Sequence, residues 1–158
     1  MMNISTLSYF LKSYRPRKIL FRKSFTRSSV AIVLAEGNSS KVINMLMIKR
    51  AKRKGDPWSG DMWFPGGKFS LEEDKKIHDT AIRELFEETG LKRNDGLEYI
   101  GRLSELLTKT HEKVFPMVVT PFVFKMNRGE LWSKVVFEIL GGVSSRVLFS
   151  RAIPWHSE

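Results

Sequence analysis

Cysteine is missing from this chain, which excludes a disulfide framework, a zinc–thiolate site and a thiol nucleophile. Glutamine is missing as well, and beside abundant Lys, Arg and Glu that absence leans toward a hot-environment source. No apolar run approaches the roughly 20 residues a helix needs to span a bilayer, so the expectation is a soluble, cytoplasmic protein with no membrane span. Acids are absent from the first 35 residues, which carry Lys12, Arg15, Arg17, Lys18, Arg22, Lys23 and Arg27. Such a stretch reads as an organellar transit peptide or as a basic amphipathic helix, "ISTLSYFLKSY", closed by Pro16 and lying on the domain.

What is present suits one compact domain plus tails: 158 residues, 42% of them hydrophobic, bury a genuine core and are too few for two ordinary domains. A formal net charge of +10 concentrates anionic partners, whether polyphosphate metabolites, RNA, DNA or acidic lipid surfaces. Charge alone does not choose among them. "SSVAIVLA" (28–35) and "VINMLMIK" (42–49) are β-branched and apolar around the turn signal "EGNSS", so they predict a strand pair. The basic, turn-rich 49–63 reads as a loop. "LEYIGRLSEL" and "KVFPMVVTPFVFK" read as strands, the second the longest in the chain. The tail from Met126, "LWSKVVFEILGGVSSRVLF", fits either helix or strand.

Between the loop and these strands, "FPGGK" forces special backbone geometry just ahead of an acidic helix predicted from about Lys75 to Thr89. Ala81, Ile82, Leu85 and Phe86 form its apolar arc, and Gly90 is placed to end it as a left-handed cap. Glu84, Glu87 and Glu88 share one side of that helix, where like charges repel. The bland account is a solvated face with Arg83 pairing with Glu87 and Lys92 with Glu88 at i,i+4 spacing, and a Ser70–Glu73 capping box. The alternative is a hard-cation site, in which carboxylates three and four residues apart converge on Mg²⁺ or Mn²⁺ that bridges substrate phosphates. A glycine pair next to them lets bare backbone approach ion and phosphate.

Together these residues resemble the Nudix box: Gly67 and Glu73 satisfy its first spacing, and Arg83, Glu84, Leu85, Glu87, Glu88, Gly90 and Leu91 its second half. The departure is that nine residues, not seven, separate Glu73 from Arg83; an insertion in "EEDKKIHD" puts the role of Glu73 in doubt. The resemblance implies an α+β fold, an α/β/α sandwich whose mixed sheet is flanked by helices with a catalytic loop-helix-loop. It spans 27–158, with 1–26 as a basic arm packed on the domain.

"SYRPRKILFRKSFTRSSVAIVL" further resembles the N-terminal helix, Pro-Arg pair and first strand of the coenzyme A pyrophosphatase branch, which is why a structural N-terminus is preferred to a transit peptide. Leu46, Met47, Arg50 and Ala51, then Gly60, Phe64, Pro65, Gly66 and Gly67, fit that branch's upstream signature. Ile48 replaces its Thr, and Arg53 and Lys54 stand near where an Arg is expected. In the closing segment "SSRVLFSRAIPW", Arg146 takes the place of an acid, leaving Glu112, Glu130 or Glu138 as substitutes, or the helix acids alone.

The resemblance implies Mg²⁺ or Mn²⁺ held by Glu84, Glu87, Glu88 and the Gly67 carbonyl, Glu87 accepting a proton from water, and Arg83 fixing Glu87. Arg50, Arg53, Lys68 and Phe64 are the substrate-binding candidates, with Trp58 or Trp63 as a stacking surface. His78 and His111 are expected to be structural or exposed. The implied partner is a nucleoside diphosphate derivative: coenzyme A, ADP-ribose, a dinucleoside polyphosphate or a modified nucleoside triphosphate. A nucleic-acid-binding module on the same scaffold is the alternative of a different class, and a homodimer is left open.

Overall fold

The computed structural model describes residues 3–36, 43–49, 61–110, 113–126 and 146–151. Helix α1 (Ile4–Ser13) begins where Asn3 accepts the N–H of Thr6 at 2.8 Å, an N-cap that satisfies one free donor of the first turn. It ends at Tyr14, two residues before Pro16. A 3-10 turn at Arg22–Ser24 leads into β1 (Thr26–Glu36). Then come β2 (Ile43–Lys49), β3 (Met62–Trp63), β4 (Gly66–Lys68), α2 (Ile77–Thr89), β5 (Glu98–Arg102), β6 (Leu106–Thr110), β7 (Lys113–Met126) and β8 (Arg146–Arg151).

One mixed sheet holds all eight described strands, in the order β3-β2-β1-β7-β5, with β4 on β1, β6 on β7 and β8 on β2. Its centre is the parallel β1–β7 ladder, running from Thr26↔Met117 to Ala35↔Met126. The predicted β1–β2 pair is present and antiparallel. Alternation along β1 serves two layers, because successive side chains point to opposite faces. Ala31, Val33 and Ala35 join Leu46, Leu85, Phe122 and Phe124 beneath α2, while Leu34 joins Ile4, Ile100 and Val123 beneath α1. The result is an α/β/α sandwich, as expected. Gly101 makes room for the outer layer, since a Cβ there would lie 2.9 Å from that of Leu11.

Several local expectations are corrected. The stretch read as one strand from Leu97 is broken at 103–105, which separates β5 from β6, and the loop read through residue 63 already contains β3. Helix α2 starts at Ile77, two residues later than predicted, because Asp79 reaches back to accept the Lys76 N–H at 2.9 Å. Ser70 and Glu73 form no capping box: Ser70 donates its N–H to Asp74 at 3.0 Å. Gly90 does end the helix at φ 73°, its N–H bonded to the Phe86 carbonyl at 2.7 Å. Within the tail, residues 146–151 are strand; residues 127–145 lie outside the described residues.

The sheet also positions the glycine pair. β2 leaves β1 after Met45, and the chain of β3 and β4 crosses between them, pairing first with Ile48 and Lys49 and then with Ser28–Val30. Buried Pro65 sits at the crossing and accepts the Ala31 N–H at 2.8 Å.

Candidate functional site

Gly66 and Gly67 are held against β1 on one side and α2 on the other. A Cβ on Gly66 would collide with the Ser29 carbonyl and Val30, and one on Gly67 would overlap the Glu84 carboxylate. Gly66 donates its N–H to Glu88 Oε2 at 2.9 Å. The predicted glycines and two of the three predicted acids therefore touch.

Arg83 organises the remainder. Its Nη1 lies 2.9 Å from Glu84 Oε1 and 3.3 Å from both oxygens of Glu87, and its Nη2 donates to the Lys68 carbonyl at 3.2 Å. The expected Arg83–Glu87 pair is thus present as one arm of a larger fork. The other arm was not foreseen: Asp74, its side chain 1% exposed, receives Arg83 Nε and Nη2 at 3.1 Å each. Asp74 also accepts the Ser70 N–H and, at 2.8 Å, the Thr80 hydroxyl. Burial alone would raise its pKa, but the Arg83, Ser70 and Thr80 hydrogen bonds outweigh burial and hold the carboxyl below its ordinary range. Asp74, more than Glu73, is the acid that Arg83 grips; Glu73 is largely exposed, 3.8 Å from Arg83 Nε. In the sequence the only signal for it was the over-long spacing from Glu73 to Arg83.

Glu84 and Glu88 lie on the opposite side of the electrostatic balance. Burial raises both, Glu84 against the pull of Arg83, and Glu88 up to about 7 despite the Gly66 N–H. Glu88, partly buried, has no ion pair among the described residues, whereas Glu84 has Arg83. Glu87 is the most open of the three, its side chain 49% exposed. Among the described residues no three acidic or histidine side chains are gathered about a single point. The donor chemistry nonetheless fits a hard divalent cation: carboxylate oxygens raised by burial, beside a glycine where any side chain would displace one of them.

Other predicted residues are dispersed. Lys68 contributes its carbonyl to Arg83 and exposes its side chain, Phe64 is half-buried, and Trp63 packs against the core. Lys92 does not pair with Glu88; its ammonium lies 5.4 Å from the centre of the Phe86 ring. His78 is structural, edge-on to Tyr99 and Phe122 with ring centres 5.1 and 5.0 Å away, and burial, aided by Arg93, lowers its pKa. Arg50, Arg53, Lys54, Trp58, Gly60, His111, Glu112, Glu130 and Glu138 lie outside the described residues, and so does the side chain of Arg146.

A glycine pair locked between a sheet and the carboxylate face of one helix, on a two-layered mixed sheet, defines a class that comparison with known proteins identifies. Residues 25–141 match the family model of the NUDIX domain, and the chain belongs to that family. The chain is 29% identical over 109 residues to the peroxisomal coenzyme A diphosphatase ndx-8 of Caenorhabditis elegans, a match covering 67% of this chain and 46% of that protein. It is 34% identical over 114 residues to an uncharacterized protein of Schizosaccharomyces pombe, covering 62% of this chain and 34% of the relative. The matches thus span less than half the length of either relative. Among solved structures, NrtR of Shewanella oneidensis superimposes with a TM-score of 0.58 at 16% identity, over 80% of this chain and 52% of that one, a likeness of fold.

Proposed function

We propose that this protein is a metal-dependent pyrophosphohydrolase that cleaves the diphosphate of a nucleoside diphosphate linked to another moiety, with coenzyme A or a derivative as substrate. The observation that carries this reading is the contact of Gly66 and Gly67 with Glu88 and Glu84, which sets bare backbone against two partly buried carboxylates, of which Glu84 alone has Arg83 as counter-charge. Similarity to a coenzyme A diphosphatase supports the substrate.

Glu84, Glu87, Glu88 and the Gly67 carbonyl are the residues that would hold Mg²⁺ or Mn²⁺, which when bound neutralises diphosphate charge and acidifies water. Arg83 positions Glu84 and Glu87, its own fork fixed by Asp74 so that mutual repulsion does not splay them. Glu87, with the greatest solvent access, accepts the proton of the attacking water. The water oxygen bonds to one phosphorus as the bridging P–O bond breaks. With coenzyme A, cleavage there leaves 3′,5′-ADP and the pantetheine phosphate. Lys68, exposed next to Gly67, would meet substrate phosphate.

The test is a panel of coenzyme A, ADP-ribose, NADH, dinucleoside polyphosphates, 8-oxo-dGTP and capped RNA, assayed with Mg²⁺ or Mn²⁺ and with product identification. We expect 3′,5′-ADP from coenzyme A, abolished by chelation and lowered at least about 100-fold by Glu87→Gln. Preference for ADP-ribose would replace the substrate and keep the chemistry; no metal-dependent turnover of any compound would remove the enzymatic reading.

A further inference from the structure

Around Glu105 the basic arm is stapled to the rest of the molecule. Glu105 Oε2 accepts the Ile19 N–H at 2.7 Å, its backbone N–H donates to the Arg17 carbonyl at 3.0 Å, and Arg22 Nε stands 3.5 Å from Oε1. Ser104 adds hydrogen bonds to the Arg17 N–H and the Tyr14 hydroxyl. These contacts fix the tip of the arm, yet they turn its largest apolar side chains outward: Leu20 and Phe21 are each 76% exposed. Phe21 holds a left-handed backbone at φ 55°, with its carbonyl bonded to the Ser24 N–H at 2.9 Å. That conformation is costly for an aromatic residue and is normally given to glycine. Close in sequence to the staple, Leu103, Leu106 and Leu107 are exposed as well, the last two on opposite faces of β6.

The charge around this apolar tip has one sign. No acid occurs before Glu36, and Lys18 and Lys23 flank Leu20 and Phe21 in sequence. Glu105 adds no compensating surface charge, because its side chain is 2% exposed and faces both Arg22 and Arg102. Protruding Leu20 and Phe21, flanked in sequence by two exposed lysines, match the boundary of an anionic bilayer, where acyl chains take the former and phosphates the latter. A nucleic acid would use the cations and Phe21, but Leu20, equally exposed, gives its bases nothing to stack on.

We propose that the 18–23 tip forms a docking surface for anionic lipid membranes, bound peripherally and independently of the hydrolytic site. The full chain is sedimented with phosphatidylcholine vesicles with and without phosphatidylserine. We expect at least about tenfold more protein bound to the anionic vesicles, reversed by salt. The double change Leu20→Ser with Phe21→Ser should lower that binding about tenfold, as should Lys18→Glu with Lys23→Glu. An unchanged unfolding midpoint confirms that each variant is folded. The proposal is overturned by equal binding to both vesicle types, or by anionic binding that the Leu20→Ser, Phe21→Ser pair leaves intact. It is also overturned if vesicles fail to bind while a single-stranded RNA is retained through these same residues.

Discussion

Glu88 differs from Glu84 and Glu87 in lying beyond the reach of Arg83 while accepting the Gly66 N–H. Its pKa is raised by burial to about 7, so between the ordinary carboxylate range and that value the folded protein keeps a proton that the unfolded chain releases. Stability due to this group is therefore full at low pH and is lost as pH rises through about 7. Glu88→Gln keeps an acceptor for Gly66 and removes the titration. In metal-free buffer it should unfold at higher urea concentration than the parent at about pH 8, by on the order of 1–2 kcal/mol, with no gain at about pH 4. Parallel pH profiles for the two proteins would contradict the assignment. The two glycines make a second residue-scale contrast. Gly67→Ala displaces the carboxylate end of the Glu84 side chain and should cost about 100-fold in turnover with under about 1 kcal/mol of stability. Gly66→Ala meets the Ser29 carbonyl and should cost about 2 kcal/mol or more in denaturant unfolding. Equal stability losses would show that the two positions are not distinguished as the contacts imply.

At the scale of elements, the arm between α1 and β1 depends on one buried carboxylate. Glu105→Ala leaves the Ile19 N–H and Arg22 without their acceptor, and limited trypsinolysis should then cut at Arg17, Lys18 or Arg22 about tenfold faster than in the parent. An unchanged rate would mean that Ser104 and the backbone bond suffice. The sequence made β1, β2 and β7 legible because β-branched runs bounded by turn residues have few other conformations. It made Gly67, Arg83, Glu84, Glu87 and Glu88 legible because their spacing fixes one helix face after a glycine turn. Asp74 was hidden: within Glu72, Glu73 and Asp74 nothing local tells which side chain turns inward, and the choice is made by Ser70, Thr80 and Arg83 converging on it from different elements. The start of α2 was misplaced for a related reason, since several polar residues compete as caps and only one gains the bond from Asp79. Glu105 escaped notice because Ile19, whose N–H it accepts, lies 86 residues away, beyond any periodicity.

For the whole molecule, the decisive feature is the parallel pairing of β1 with β7 at the centre of an otherwise antiparallel sheet. Both helical layers rest on it: Leu85 of α2 shares a cluster with Val33 and Phe124, and Ile4 of α1 shares one with Leu34 and Val123. Among the described residues no helix is long and apolar enough to cross a membrane. Because one strand of the central ladder precedes the acidic helix and its mate, Lys113–Met126, follows it, the floor beneath that helix is completed only after the helix itself has been made. A ribosome-bound chain stalled before that point carries every acid of the helix and lacks the partner strand that completes their support, so it should be catalytically silent until translation passes β7.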